Sequence, residues 1–330
     1  MQPQQALSEV HQTPLISFII TYYNLPVQLL QECIESIMRL SLRPSEREII
    51  VVDDGSEHSP AADLPDSEEG IIYIRQENAG LSAARNKGLS MAKGTFVQFV
   101  DADDQLIKEP YEQCLDIIRR HKSADMVLFD FSTTLNGQPS EETVHPLSGS
   151  EYMCCNNIHG TAWGYLFRHS ILGELRFTAG IYHEDEEFTP QLLLKAKEVY
   201  PTHIKAYFYN QREGSITASR KPADIAKRLN DHEGVISRLH GMCDKLTHQD
   251  GIAMRRRVAQ LTMDYIYKVI IETRSSEALQ QRLHTLHEKG LFPLPNGDYS
   301  FKYKCFRCMS NSSFGRQVLL RLLPLLRKER

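Results

Sequence analysis

Apolar residues in the first third of the chain fall in short continuous runs, and each run ends in a polar cluster. Residues 15–21 read Leu-Ile-Ser-Phe-Ile-Ile-Thr and open into Tyr22-Tyr23-Asn24. A run of that length and composition predicts a buried strand. Pro26 then precedes Val27, Leu30, Ile34, Ile37 and Met38, whose spacing predicts a helix with one buried face. Residues 48–52 predict a second strand leading into Asp53-Asp54-Gly55-Ser56. Residues 71–75 predict a third, followed by Asn78-Ala79-Gly80 and a helix from about Ser82 that turns Ala83, Ala84 and Leu89 toward the sheet. Gly94 closes that helix. Residues 95–100 predict a fourth strand, which runs into Asp101-Ala102-Asp103-Asp104.

Strand alternating with helix implies a parallel sheet with helices on both faces. Ligands of such sheets sit outside the carboxyl ends of the strands. Four strand ends here carry polar groups: Thr21 to Asn24, Asp53 and Asp54, Asn78, and the cluster at Asp101. A ligand explains that gathering better than chance does. Three carboxylates within four positions repel one another and raise each other's pKa. A divalent cation relieves the repulsion, and hard oxygen donors suit Mg2+ or Mn2+. A polar turn with an incidental acidic run is the competing reading.

Further along, residues 110–121 read as a helix and 125–131 as a strand, and residues 135–146 read as a hairpin or loop around Asn136-Gly137. Residues 162–167 hold the only tryptophan, Trp163. Residues 184–196 predict a helix opening on Glu184, Asp185, Glu186 and Glu187. Acid in a first turn is favoured by the helix dipole, so this run has a structural explanation as well. A strand is expected at 203–211, then Arg212-Glu213-Gly214-Ser215, then a mostly helical region over 222–289.

These motifs, in this order, resemble the family 2 glycosyltransferases over roughly residues 14–219. The resemblance rests on Ile20-Thr21-Tyr22-Tyr23-Asn24, Val52-Asp53-Asp54-Gly55-Ser56, Asn78-Ala79-Gly80 with Ala84-Arg85-Asn86-Lys87-Gly88, and Asp101-Ala102-Asp103-Asp104, with Trp163-Gly164 and Glu184-Asp185 later. It implies a GT-A fold: an α/β, Rossmann-like mixed sheet flanked by helices, here with a helical C-terminal extension. It implies an enzyme that moves a sugar, with inversion, from a UDP-sugar to a hydroxyl of a saccharide or lipid-linked acceptor. Thr21, Tyr23, Asn24, Asp54 and Asn78 would then bind the nucleotide end of the donor. Tyr23 would stack on the base or shape its pocket, and Asp54 would accept from a uracil N–H. Arg85 would lie near the diphosphate or its metal, where a guanidinium suits phosphate oxygens. Asp101-Ala102-Asp103 looks like the family's DxD motif, so Asp103 or Asp104 would ligate Mn2+ or Mg2+ and Asp101 would reach the ribose or the metal. Asp185, beside Glu184, matches the position of the catalytic base. Trp163 would wall the acceptor. Arg212 and Ser215 fall where related enzymes have a segment that closes over the diphosphate.

Composition and charge add a tail. The net charge is −4, which argues against general nucleic-acid binding. Residues 301–330 carry eight Lys/Arg against one Glu, about +7, which leaves about −11 on the rest. Phe301, Tyr303 and Phe306 interleave with Lys302, Lys304 and Arg307, and paired leucines alternate with Arg316, Arg321, Arg327 and Lys328. Pro324 is expected to kink or end a helix there. Such a segment suits either an anionic membrane surface or packing on the enzyme's own body or a second subunit, as in a homodimer. The domain organisation expected is a tail over 1–13, a glycosyltransferase domain over 14–219, a helical region over 220–298 and a basic tail over 299–330. Seven scattered cysteines fit a reducing compartment, and no apolar run is long enough to span a bilayer. The expected location is cytoplasmic, peripheral on the inner face of the membrane. Two alternatives compete. One is a catalytically inactive nucleotide-sugar-binding module. The other is a sugar nucleotidyltransferase, which needs a Gly-rich loop where this chain has Tyr22-Tyr23-Asn24-Leu25-Pro26.

Overall fold

The computed structural model describes residues 13–64, 70–137, 144–212, 220–297 and 299–326. The expectations for residues 1–12, Ser215, Arg327 and Lys328 lie outside these. The chain folds as two compact units. One comprises the described residues up to 137 with Trp163–Gly173 and Thr202–Asn210. The other comprises residues 144–162, Glu174–Pro201 and the described residues from 211 onward.

The first unit is built on a sheet. Strand β1 (Ile16–Tyr22) leads to helix α1 (Val27–Met38), then β2 (Arg47–Asp53), β3 (Ile71–Arg75), α2 (Leu81–Met91) and β4 (Phe96–Asp101). Next come β5 (Gln105–Leu106), α3 (Lys108–Arg120) and β6 (Met126–Ser132). With β7 (Tyr165–Arg168) and β8 (Val199–Phe208), the sheet runs β3-β2-β1-β4-β7-β6-β8-β5. Its first four strands are parallel, whereas β7 runs antiparallel to both β4 and β6, and β8 antiparallel to β5. Every residue of β2 is buried, and all of β1 except Thr21, which explains the apolar runs 18–20 and 49–52 within them. On α1 the buried face is Leu30, Cys33, Ile34, Ser36 and Ile37, while Val27 and Met38 are half-buried at its margins. Gly88 of α2 lets the helix lie close on the sheet: a Cβ there would sit 2.3 Å from Ile19 Cγ2.

The parallel register aligns the strand ends. Thr21 lies beside Val52 on one side and Asp101 on the other, and Tyr22 lies beside Asp53. The polar clusters that end β1, β2, β3 and β4 therefore share one edge. Strand β8 begins at Val199, four residues before the expected 203, because Leu147 and Val199 exchange backbone hydrogen bonds of 3.0 and 2.8 Å.

The second unit is mainly helical. It holds α4 (Gly149–Cys155), α5 (Glu184–Leu193), α6 (Pro222–Met242), α7 (His248–Thr273) and α8 (Ser276–Glu288), then α9 (Phe301–Ser310) and α10 (Ser313–Leu326). Side-chain oxygens of Ser148, Thr247, Ser275 and Ser300 cap α4, α7, α8 and α9 by accepting the amide three residues on. Helix α5 ends three residues before the expected 196, where the chain tightens into successive Lys195→Leu192 and Ala196→Leu193 turns. Val235, Ile236, Tyr265, Val269 and Leu286 form the centre of this unit's core. Tyr303 and Leu319 are buried in the same core, so the basic tail packs in part on its own body. Pro324 does not end its helix, which runs two residues further to Leu326. The missing N–H falls in the last turn, where one lost hydrogen bond matters least. No helix of the described residues is long and apolar enough to cross a membrane.

Candidate active site

The edge of the first unit is assembled by side chains bonding to the loops around them. Asn24 sits in the left-handed region (φ 48°), a conformation asparagine tolerates. Its amide donates to Ser56 Oγ at 3.0 Å and its Oδ1 accepts the Glu57 amide at 2.8 Å, tying the loop after β1 to the loop after β2. Asp53 is fully buried and accepts from the Ser56 amide and the Tyr73 hydroxyl, at 2.9 and 2.8 Å. Asp54, 4% exposed, organises the Asn78-Ala79-Gly80 loop. Its Oδ1 accepts from Gln76 Nε2 (2.7 Å) and the Ala79 amide (2.9 Å), and its Oδ2 from Asn78 Nδ2 (3.2 Å) and the Gly80 amide (2.8 Å). Those four bonds fill the carboxylate's acceptor sites. A nucleobase N–H would therefore have to displace one donor, and Gln76 Nε2 and Asn78 Nδ2 are the two side-chain donors of the four. Tyr23 is half exposed at the same edge.

The acidic turn after β4 separates its three carboxylates. Asp101, at the strand end, accepts from Arg85 Nη2 at 3.2 Å. Arg85 itself is 4% exposed and the Asp101 side chain 29%, so this pair is partly buried rather than a helix-surface salt bridge. Burial pushes the Asp101 carboxyl up, against the pull of Arg85. Asp103 is half-buried. Asp104, grouped with the other two in the sequence reading, is placed differently: it is 1% exposed. Its Oδ2 accepts from the Tyr207 hydroxyl (2.7 Å) and its Oδ1 from the Asn210 amide (2.8 Å). Burial first, then the charge of Asp101, pushes its pKa up to about 8, against those two donors. Asp104 thus fastens the end of β8 to the turn. Asp101 and Asp103 are the carboxylates at this turn that are not fully buried, and a pair of hard oxygen donors fits Mg2+ or Mn2+, which takes its remaining ligands from water and substrate phosphates.

Four aromatic rings gather beside this turn. Trp163 stacks on Tyr207, with centroids 4.4 Å apart and planes at 11°, and more distantly on Tyr209 at 5.9 Å. Phe131 meets Trp163 edge-on at 5.6 Å and Tyr209 at 5.9 Å. The Tyr207 hydroxyl that donates to Asp104 also accepts the Asp101 amide at 3.1 Å. Phe131, Tyr207, Tyr209 and Asn210 were not expected at a site. The spacing of Tyr207 and Tyr209, two apart on one strand face, was the only sequence signal for them.

The second unit holds the other acidic residues. In the first turn of α5, Glu184 is 8% exposed and Asp185 half-buried, with Asp185 Oδ1 accepting the Glu186 amide at 2.8 Å. Glu186 pairs with Arg257 of α7, and Glu187 with Arg238 of α6 through bonds of 2.6 and 3.0 Å. His183, immediately before the helix, is left-handed (φ 65°), and its ring lies 4.5 Å from that of His232. Burial pushes His183 down to about 3, and His232 well below its usual value, so both rings are neutral. Lys268 is pushed down by burial within the field of Glu186, Asp264 and Asp185. Arg212 is half-buried and precedes the segment 213–219, which lies outside the described residues.

Comparison with known proteins speaks to the family and the fold. Residues 17–169 match the family model described as glycosyl transferase family 2. The chain carries a glycosyl transferase family 2 domain over residues 17–169. Among relatives, it is 30% identical over 222 residues to the glycosyltransferase GlyA of Streptococcus pneumoniae, a match covering 61% of this chain and 31% of that protein. The chain spans less than two thirds of the length of the first curated relatives it matches. Among solved structures, S. aureus TarS 1–349 in complex with UDP-GlcNAc superposes with a TM-score of 0.56 at 20% identity, over 92% of each chain. A mannosyltransferase from Pyrobaculum calidifontis in complex with GDP-Man and Mn2+ also gives 0.56, at 14% identity, over 96% of this chain and 88% of that one. These likenesses establish the GT-A fold of the chain: a mixed sheet flanked by helices, with a helical C-terminal region.

Proposed function

We propose that this glycosyltransferase moves a sugar, with inversion, from a UDP-sugar to a hydroxyl of a saccharide or lipid-linked acceptor in the synthesis of a bacterial surface polysaccharide. The observation that carries the reading is the shared edge where Thr21 lies in register with Asp101, Asp101 holds the buried Arg85, and Asp54 shapes the Asn78 loop.

In this reading Tyr23 stacks on the base, with Thr21, Asn24 and Asn78 lining its pocket. Asp54 takes a uracil N–H in exchange for the Gln76 or the Asn78 donor. Arg85 offers its guanidinium to the diphosphate, and Arg212 approaches the same group. Asp101 and Asp103 would hold Mn2+ or Mg2+, which when bound offsets the charge that grows on the departing diphosphate. Asp185 takes the proton of the acceptor hydroxyl while the hydroxyl oxygen bonds to the anomeric carbon. The bond from that carbon to the phosphate oxygen breaks, and UDP leaves with its electron pair. Glu184 supports Asp185 from the preceding position, and Trp163 walls the acceptor.

A thermal-shift series tests the donor side. UDP with Mn2+ is expected to raise the melting temperature by mass action, and CDP or GDP to raise it less. No shift with any nucleotide would remove both the UDP-sugar donor and the inactive nucleotide-sugar-binding module. Slow hydrolysis of a UDP-sugar without acceptor separates that module from an enzyme.

The protein is also proposed to rest on the inner face of the cytoplasmic membrane. Phe301, Phe314, Leu325 and Leu326 are 74–83% exposed on α9 and α10, beside Lys302, Lys304 and Arg321, and residues 301–326 contain no acid. Two copies of that cationic face would repel each other, whereas an anionic leaflet is complementary to it. Truncation is a poor test, because Tyr303 and Leu319 belong to the core. Replacing Phe314, Leu325 and Leu326 with serine is expected to abolish flotation with phosphatidylglycerol vesicles while the melting temperature holds. Flotation equal to the wild type would remove the membrane contact.

A further inference from the structure

Phe131 is a large apolar side chain that the first unit leaves 47% exposed at the edge holding the acidic turn. Its place is fixed by strand register. β4 and β7 pair Gln98 with Leu166, and continuing that antiparallel register sets Trp163 opposite Asp101. β6 and β7 pair Leu128 with Tyr165, which carries Phe131 past Trp163. β5 and β8 pair Gln105 with Phe208, which sets Tyr209 opposite Asp104. Three strands therefore deliver their aromatic residues to the end of β4.

The rings are held rather than loosely gathered. Trp163 lies flat on Tyr207, whose hydroxyl is bonded on both sides, and the Trp163 carbonyl accepts from Gln98 Nε2 at 2.9 Å. Phe131 stands edge-on to both Trp163 and Tyr209, at 85° and 71°. Edge-on packing satisfies the ring quadrupoles between neighbours and leaves the Phe131 ring open to solvent. Packing alone would be served by an aliphatic side chain or a covered ring. A preorganised aromatic wall, with Phe131 exposed and Trp163 and Tyr209 half-buried, is what a ligand with a flat apolar face requires.

A pyranose ring has such a face. Its axial C–H groups carry slight positive charge and lie together on one side, matching the electron-rich face of an aromatic ring. An open-chain alditol has no fixed C–H face, and a bare lipid phosphate has none at all. We infer that Phe131, with Trp163 and Tyr209, forms a subsite for the C–H face of a pyranose in the acceptor, so that the acceptor is a saccharide. This rests on the transferase reading above, and it adds the class of acceptor and two residues not assigned to it.

The test is saturation-transfer NMR on the full chain with UDP and Mn2+, using methyl β-D-glucopyranoside, methyl β-D-galactopyranoside and ribitol as probes. The wild type is expected to transfer saturation to the ring C–H protons of a pyranoside and not to ribitol. Phe131→Ala is expected to weaken pyranoside binding about tenfold, the size of one aromatic stacking contact. Phe131→Tyr is expected to keep it, and the UDP thermal shift should be unchanged in both variants. If UDP shifts the wild type and neither pyranoside responds, or if Phe131→Ala binds as well as the wild type, the subsite is overturned and the transferase reading stands. If Phe131→Ala instead weakens UDP-sugar relative to UDP, the wall belongs to the donor sugar and the acceptor assignment is wrong. If UDP itself gives no shift, both readings fall together.

Discussion

Asp103→Asn is expected to lower metal-dependent sugar transfer by about a thousandfold, the scale seen when one preorganised electrostatic contact to a developing charge is removed. The fold should survive. Asp103 is half-buried in the turn, and asparagine is nearly isosteric. Asp104 secures that turn through the Tyr207 hydroxyl and the Asn210 amide. The melting temperature of Asp103→Asn is therefore expected within about 2 °C of the wild type. The increment that Mn2+ adds to the UDP thermal shift should vanish, because one of two hard donors has lost its charge. Asp104→Asn provides the contrast. Its amide would put an N–H against one of two buried donors, at a cost of about 1–3 kcal/mol. That variant should lose stability first. Transfer by Asp103→Asn within a few-fold of the wild type would end its assignment to the metal, and a larger stability loss in Asp103→Asn than in Asp104→Asn would invert the two roles.

The parallel half of the sheet was legible because β1, β2 and β4 are buried almost throughout. Residues 15–21 and 95–100 could be little else, and polar residues end each of the four strands. What periodicity cannot carry is the partner of a polar residue. Asp53, Asp54, Asp101, Asp103 and Asp104 look alike in sequence. The structure gives Asp53 and Asp104 to the fold, fills Asp54 with loop donors, and leaves Asp101 and Asp103 at the turn. The antiparallel half was harder to read. β7 is four residues long, and β8 starts early because a single bridge to Leu147 extends it. Phe131, Trp163 and Tyr209 meet only through that half, so their association could not be seen along the chain. In the tail, alternating Leu and Arg described a surface without saying which leucines were used. Burial of Tyr303 and Leu319 beside exposure of Phe314 and Leu325 divides one amphipathic pattern into an inner and an outer face.

The acidic opening of α5 posed the same ambiguity in its sharpest form, since four consecutive carboxylates all suit a helix N-terminus. Their surroundings separate them. Glu186 and Glu187 are committed to Arg257 and Arg238, and Glu184 is buried. Asp185 keeps its helix start through the Glu186 amide, a bond the carbonyl oxygen of asparagine can also accept. Asp185→Asn therefore removes the ability to take a proton while preserving the local hydrogen bond. It is expected to reduce transfer by about two to four orders of magnitude, the contribution of a positioned general base. UDP and UDP-sugar should still shift the melting temperature as they do in the wild type. Glu186→Gln should do the opposite. It leaves Arg257, 4% exposed, without its carboxylate, and should lower the melting temperature more than it lowers the rate per folded molecule. Unchanged transfer by Asp185→Asn would eliminate it as the base. Loss of UDP binding in the same variant would mean that the carboxylate acts on the donor, and the base would then have to be sought elsewhere in the chain.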